Sequence, residues 1–396
     1  MVDDAAVKAV LEALDADEVL AFARALLAAP SENPGGTEEL AARVAADILT
    51  DVGATPRTVR SPDGRPSVVA AFGSGARPKL AWNGHLDVVP AGDPSTWDHP
   101  PFDGTVVDGR LVGRGAADMK GAIASALAAA AAIVRSGVEL GGTLELHLVA
   151  DEELTGHHGT EVLRDEGLLD QDACIVGEPT ELQLALAERG GAWVTSTARG
   201  RAAHGSAPHL GVNAITSMAR FLLRIEEVLP DREHPLVGRP TVNAALIEGG
   251  SAPNVVPDRC EVDVDRRLIP GETSPEEVLA PFETLAASIA AERPEVDLSF
   301  HIREWTDAAE APRDSRIADL LRAAVTEETG SAPPDVGVTG ITDARFYIND
   351  ARIPAVILGP GSLSVAHTAN EWVEVADLVA AARIYARVFV RFLGGG

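Results

Sequence analysis

Cysteine is scarce in this 396-residue chain, which has only Cys174 and Cys260. They lie far apart and neither has a CxxC neighbour, which argues against a disulfide framework and against a thiolate metal site. Both fall in apolar, strand-like runs and read as small core residues. Lysine is limited to Lys8, Lys79 and Lys120, and arginine supplies the other basic charge. A formal net charge of -27 argues against nucleic acid and anionic membranes as partners. No run reaches the roughly 20 apolar residues of a membrane span. The most apolar segment, residues 122–134, reads as a buried helix. The acidic start Met1-Val2-Asp3-Asp4 lacks the basic region of a signal peptide, so a cytoplasmic protein is expected. No internal repeat is visible.

The hydrophobic content of 46% and charged content of 23% are those of a folded globular protein. The length favours two domains. Apolar spacing predicts helices over residues 5–28 and 37–49, joined by the loop chemistry of Pro30-Ser-Glu-Asn-Pro-Gly-Gly36. Strands at 67–72, 79–83, 143–150 and 173–176 alternate with helices at 121–135 and 158–166. That order predicts an α/β layer with a largely parallel mixed sheet flanked by helices. From residue 189 the order becomes β-α-β-β-α-β: 192–198, 213–228, 241–247, 260–268, 274–291 and 296–302. This is the order of a ferredoxin-like α+β unit. The first pattern then returns with 314–328, 354–358 and 375–392. The expected organisation is therefore a discontinuous domain, 1–188 and 304–396, with 189–303 inserted. The closing Gly394-Gly-Gly396 reads as a tail.

Several acids and histidines stand just beyond apolar strands, where open α/β sheets bind ligands. Asn83-Gly-His85-Leu-Asp87 ends one strand, and alternation puts His85 and Asp87 on the same side. Asp87 can then supply the carboxylate that a histidine ligand needs on its other ring nitrogen. The glycine-rich Gly113-Arg-Gly115-Ala-Ala-Asp118 delivers one acid just before a helix. On local grounds helix capping and metal ligation are equally open for Asp118. A phosphate loop is set aside, because the GxxxxGK[ST] order is missing. Asp151-Glu152-Glu153 follows the strongest β run, where one glutamate can hold a cation while its neighbour moves a proton. A solvated acidic turn is the competing reading. Glu178, in Gly177-Glu178-Pro-Thr180, also ends a strand, and His367 follows the Gly359-Pro-Gly361 loop. Mixed N/O donors without thiolate suit zinc, cobalt or manganese.

Taken together and in this order, these motifs resemble the M20 metallopeptidase family across nearly the whole chain. Its branches include acetylornithine deacetylases, succinyl-diaminopimelate desuccinylases, aminoacylases and glutamate carboxypeptidases. The resemblance implies a zinc-peptidase-like catalytic domain with an inserted lid through which the chain forms homodimers. It implies two divalent metal ions. His85 and Glu178 would hold one, Glu153 and His367 the other, and Asp118 would bridge them with a cis peptide to Met119. Asp87 would orient His85, and Glu152 would act as general base and then acid.

In the lid, Gly200-Arg-Ala-Ala-His204 resembles the segment whose histidine meets the substrate oxyanion. Asn254 and Arg267, the latter in Asp265-Arg-Arg267-Leu-Ile-Pro270, resemble substrate-binding positions, as does Arg345 in Thr342-Asp343-Ala-Arg345. A structural ion pair is the alternative for both arginines. His157, His158 and His209 read as local structure. One departure stands out: Leu363 occupies the position where desuccinylases carry an asparagine. The implied activity is metal-dependent hydrolysis of an N-acyl amino acid, with a carboxypeptidase or dipeptidase as alternative. A non-catalytic amino-acid or peptide binder is the reading from another class.

Overall fold

The computed structural model describes residues 4–35 and 38–394. The Met1–Asp3 start, the loop-to-helix junction at Gly36 and Thr37, and the last two glycines of the expected tail lie outside the described residues. The chain forms two compact units. Unit 1 comprises Met1–Leu186, Glu310–Gly337 and Thr342–Gly396, and unit 2 comprises Ala187–Ala309 with Val338–Ile341. The sequence reading set the boundaries at 189 and 303 and gave residues 338–341 to the other unit.

Unit 1 opens with α1 (Asp4–Ala13) and α2 (Ala16–Leu27) in place of the single helix expected over 5–28. The break is chemical: the Asp15 carboxylate accepts the backbone N–H of Asp17 at 2.9 Å and so caps a new helix. After α3 (Glu39–Asp51) come β1 (Arg57–Arg60), β2 (Pro66–Gly73) and β3 (Lys79–His85). A small antiparallel pair, β4 (Thr105–Val107) and β5 (Arg110–Val112), precedes α4 (Lys120–Ser136). Then follow β6 (Thr143–Val149), α5 (Thr160–Asp165), β7 (Ala173–Val176) and β8 (Leu184–Glu188), along which the chain leaves the unit. α8 (Arg316–Thr329), the strand Ala355–Ile357 and α9 (Val375–Leu393) complete it; α6 and α7 belong to unit 2.

Four neighbouring strands, β6, β3, β7 and Ala355–Ile357, are parallel. β1 and β2 extend one flank and β8 the other, all antiparallel. The register sets Asn83 beside His147 on one side and Val176 on the other. α4 is alanine-rich and buried from Lys120 to Ile133, as an apolar-all-round helix must be. It packs against α1, α2 and α9. No helix among the described residues is long and apolar enough to cross a membrane.

Unit 2 has β9 (Gly190–Arg199), α6 (Ala214–Leu222), β10 (Thr241–Gly249), β11 (Arg259–Leu268), α7 (Pro275–Glu292) and β12 (Asp297–Thr306). Its antiparallel sheet runs β10-β11-β9-β12, the ferredoxin-like order. Phe221, Phe282 and Phe300 meet in its core with ring centroids 5.2–5.9 Å apart. Both cysteines are buried free thiols.

One packing feature ties the sheet to its catalytic edge. The Trp82 indole, wholly buried, lies across the ends of β3 and β7 and meets Tyr385 of α9 edge-on at 5.7 Å. Two glycines leave room for it. A Cβ on Gly177 would stand 2.3 Å from Trp82 Cζ2, and one on Gly84 2.8 Å from Cη2. Gly177→Ala is therefore expected to destabilise unit 1 by roughly 1–3 kcal/mol through overpacking. A lower urea midpoint at unchanged slope would report it.

Candidate metal centre

The four parallel strands all point their carboxyl ends the same way, and each end delivers a polar side chain. His85 closes β3, Asp151-Glu152-Glu153 follows β6, Glu178 follows β7, and the loop after Ala355–Ile357 leads to His367. Asp118 arrives from the glycine-rich loop before α4. It does not cap that helix, whose first flanking residue is Met119. The Asp118–Met119 peptide is cis, as the resemblance implied.

These residues converge. His85, Asp118 and Glu178 form one group of potential ligand atoms, and Asp118, Glu153 and His367 form another; within each group all atoms lie within 4.8 Å of one another. Asp118 divides its two oxygens between them: Oδ1 is 3.1 Å from His85 Nε2, and Oδ2 is 3.3 Å from His367 Nε2. His85 Nε2 also lies 3.6 Å from Glu178 Oε1, and His367 Nε2 lies 3.0 Å from Glu153 Oε2. Glu152 joins neither group, but its Oε2 stands 3.9 Å from His85 Nε2.

The donor set fits two divalent cations. The side chains of Asp118, Glu152, Glu153 and Glu178 are at most 11% exposed, and the ion pairs they make in the structure are with His85 and His367. Glu178 Oε1 is a buried acceptor with no hydrogen-bond partner. A carboxylate left so is costly unless a cation meets it.

The proton affinities show the same crowding. Burial pushes the Glu152 carboxyl well up; His85 opposes, and the negative charges of Asp343, Glu153 and Asp118 add to the rise. Burial raises Glu178 well above its usual range, with Asp118 and Glu152 adding to it. Glu153 is raised by burial and by Asp118. Asp118 goes the other way: burial opposes, yet the hydrogen bonds from His367 and His85 hold it below the usual carboxylate range. Asp118 and Glu153 push His367 up to about 10.

The supporting contacts differ in part from the sequence reading. His85 Nδ1 bonds the backbone carbonyl of Asp87 at 2.8 Å, whereas the Asp87 carboxylate is 3.6 Å away. That carboxylate instead accepts the backbone N–H groups of Glu152 and Glu153, each at 3.2 Å, and Asn33 Nδ2 at 2.8 Å. Asp87 thus orients His85 through its main chain and the acid pair through its side chain.

Arg345 also differs. Its guanidinium donates to the carbonyls of Thr342 and Thr155 and lies over the Phe346 ring at 4.1 Å. It is 7% exposed, and these contacts brace the turn after Glu153. Arg267 in unit 2 pairs with Asp265 at 3.0 Å. His158 pairs with Asp63 at 3.2 Å and His157 with Glu161, which are local contacts.

Glu371 is a supporting residue that the sequence reading did not single out. Fully buried, it pairs with Arg114, and its Oε1 accepts the backbone N–H groups of Ala117 at 2.9 Å and Asp118 at 3.0 Å. Burial pushes its carboxyl up to about 7 against the pull of Arg114. The signal available in the sequence was an acid four residues after His367, beside a helix start.

Within unit 2, His204 and Asn254 stand together. Gly205 N–H donates to the Asn254 carbonyl at 2.7 Å, and His204 bridges to Val255. A cavity of about 520 Å³ lined by Gly205, Asn213, Pro253 and Val255 adjoins them. His204 Nδ1 accepts the backbone N–H of Ser206 at 3.2 Å and lies 2.7 Å from Ser206 Oγ.

Metal ligation needs neutral imidazole, so loading must displace the proton that Asp118 and Glu153 hold on His367. Zinc titration at neutral pH is therefore expected to release protons, and apparent affinity should climb with pH toward about 10. Calorimetry in buffers of different ionisation enthalpy measures the release. A pH-independent affinity without proton release would contradict it.

The sequence profile described as Peptidase family M20/M25/M40 matches residues 81–391. The chain is 34% identical over 396 aligned residues to the succinyl-diaminopimelate desuccinylase of Rhodospirillum rubrum, covering 94% of this chain and 98% of that protein. It is 35% identical over 337 residues to the acetylornithine deacetylase of Myxococcus xanthus, covering 83% and 84%. In three dimensions it resembles the aminopeptidase PepT from Bacillus cereus with a TM-score of 0.77, at 21% identity and covering 96% and 99%; that likeness concerns the fold.

Proposed function

The chain belongs to peptidase family M20/M25/M40, a family of metallo-hydrolases acting on amide bonds, and from that premise we propose that it deacylates N-acyl amino acids with Glu152 as its general base. The observation that carries this reading is the position of Glu152: beside two complete ligand groups, a member of neither, and with a raised proton affinity. Divalent ions held by His85, Asp118, Glu153, Glu178 and His367 would polarise the scissile carbonyl and acidify water. Glu152 takes the proton of the attacking water and returns it to the leaving amine. His204 is assigned to the oxyanion, and Asn254 and Arg267 to substrate polar groups; these three roles rest on the family resemblance.

Among acyl groups, the reading favours short, uncharged ones. Leu363 is 44% exposed in the loop leading to His367 and offers a succinyl carboxylate no hydrogen bond. The names of the two relatives, a desuccinylase and a deacetylase, bracket the choice. We take zinc as the resident metal; N/O donors without thiolate support it, as they do cobalt and manganese. A cytoplasmic setting accords with two free thiols. We also infer a homodimer through unit 2. β10 is an edge strand exposed along nearly its whole length, with Leu246 at 67% and Ile247 at 62%, and Leu223 after α6 reaches 88%. Long apolar edges of this kind are ordinarily covered.

Glu152→Gln is expected to keep its metal content while turnover falls by about 1,000-fold or more. Metal analysis beside kinetics on N-acetyl, N-succinyl and dipeptide panels checks this. Unchanged turnover would remove Glu152 as the base, and hydrolysis confined to dipeptides would replace deacylation by peptidase activity. Leu246→Asp together with Ile247→Asp is expected to shift sedimentation from dimer to monomer, and a wild-type monomer would end the dimer reading.

A further inference from the structure

Three buried side chains that the catalytic reading leaves unused converge behind the Glu152–Glu153 turn: Asn33, Glu38 and Arg65. Asn33 lies in the loop after α2, Glu38 immediately precedes α3, and Arg65 immediately precedes β2. The Arg65 guanidinium takes Glu38 with Nη2 and, at 3.3 Å, with Nε, and it takes Asp151 with Nη1. Asn33 Nδ2 joins the same group, donating to Asp151 Oδ1 at 3.1 Å as well as to Asp87.

Asp151 is the hinge of this arrangement. Its backbone is left-handed, with φ of 67°, an uncommon conformation for a residue with a side chain. Its carbonyl accepts the N–H of Gly156 at 2.7 Å, and its Oδ2 accepts the N–H of His158 at 3.0 Å. The turn from 151 to 158 therefore closes on Asp151, while Asp87 holds the N–H groups of Glu152 and Glu153 from the other side. Glu38, Asp87 and Asp151 are three buried acids in one cluster, and Arg65 faces all three. A planar fork can serve two carboxylates in different directions at once, which an ammonium on a flexible stem cannot do in the same geometry.

We propose that Arg65 is a positioning residue for the proton-transfer step: acting through Asp151, it fixes the backbone from which Glu152 and Glu153 project. The proposal rests on the reading of Glu152 as general base. Glu38 serves as the fixed anchor that sets the plane of the guanidinium, and Asn33 couples Asp151 to Asp87. Arg65 itself touches neither ligand group and has no part in holding substrate.

The experiment compares Arg65→Lys and Arg65→Gln with wild type and Glu152→Gln in the zinc-loaded full chain. Its substrate is the panel compound that wild type hydrolyses fastest. Amide hydrogen exchange is followed in parallel on the metal-free and loaded forms. Displacement of the base by a fraction of an ångström is expected to lower kcat by about 10-fold in Arg65→Lys and about 100-fold in Arg65→Gln. KM should stay within about twofold and zinc per chain should be unchanged. Exchange should accelerate at Glu152, Glu153, Gly156 and His158 while β3 and α4 keep their protection. Partial rescue by lysine over glutamine would confirm that the cation matters and the fork matters more.

A merely structural role gives another pattern: less folded protein, exchange raised throughout unit 1, and wild-type kcat per zinc-loaded chain. That result overturns the proposal, as does unchanged local exchange in a folded Arg65→Gln chain. Retained turnover in Glu152→Gln would instead remove the base reading, and local exchange would still decide whether Arg65 fixes the turn.

Discussion

Four carboxylates crowd one hollow with two imidazoles, and unit 1 is built around the charge this leaves uncompensated. In water such acids would separate. Here Asp118, Glu152, Glu153 and Glu178 are held together by backbone that cannot relax, because each side chain leaves the end of a buried strand or a glycine-rich loop. Burial and mutual repulsion push three of them toward their protonated forms, and only Asp118, gripped by both histidines, stays firmly ionised. Two divalent cations would resolve this conflict, which is why the donor set reads as a candidate metal centre even though each motif is modest by itself.

Holding that conflict in place takes a ring of supporting groups that address backbone N–H groups more than ligand side chains. Glu371 secures the amides of Ala117 and Asp118, and Asp87 secures those of Glu152 and Glu153. Arg345 braces the carbonyl of Thr155. Beneath them, Trp82 presses on two glycines, so the strand ends carrying His85 and Glu178 approach more closely than side chains would permit. The supports of the site thus grip the main chain that carries its ligands.

The sequence made some of this legible and concealed the rest, for physical reasons. Strand ends, the acid run and the inserted β-α-β-β-α-β order follow from periodicity and local chemistry, and these signals are short-range. His85, the Asp151-Glu152-Glu153 run and Glu178 were visible from their positions beyond apolar runs, whereas Asp118 and His367 follow glycine-containing loops and drew their expected roles from the family resemblance; the structure brings the six side chains together. The division of the first helix was missed because a capping aspartate interrupts an otherwise continuous apolar spacing. Asp87 was seen as the partner of His85, but its larger task depends on a turn 65 positions away. For Arg345 substrate binding and a structural ion pair were both open; its acceptors Thr342 and Thr155 are carbonyls, which leave no mark on side-chain chemistry. Asn33 was seen only as part of a loop and Arg65 drew no reading, because their partners, Asp87 and Asp151, are remote in the chain.

Unit 1 is interrupted by unit 2, and this gives the two halves of the metal centre different birthdays on the ribosome. The group His85–Asp118–Glu178 is fully synthesised once residue 178 is made, whereas the group that needs His367 must wait for nearly the end of the chain. At about 5–20 residues per second the interval is roughly 10 to 40 s, long compared with the folding of a small α+β unit. For that time the nascent protein carries Asp118 and Glu153 without the imidazole that pairs with both. The two ligand groups are thus completed in order during synthesis, the first at Glu178 and the second only at His367.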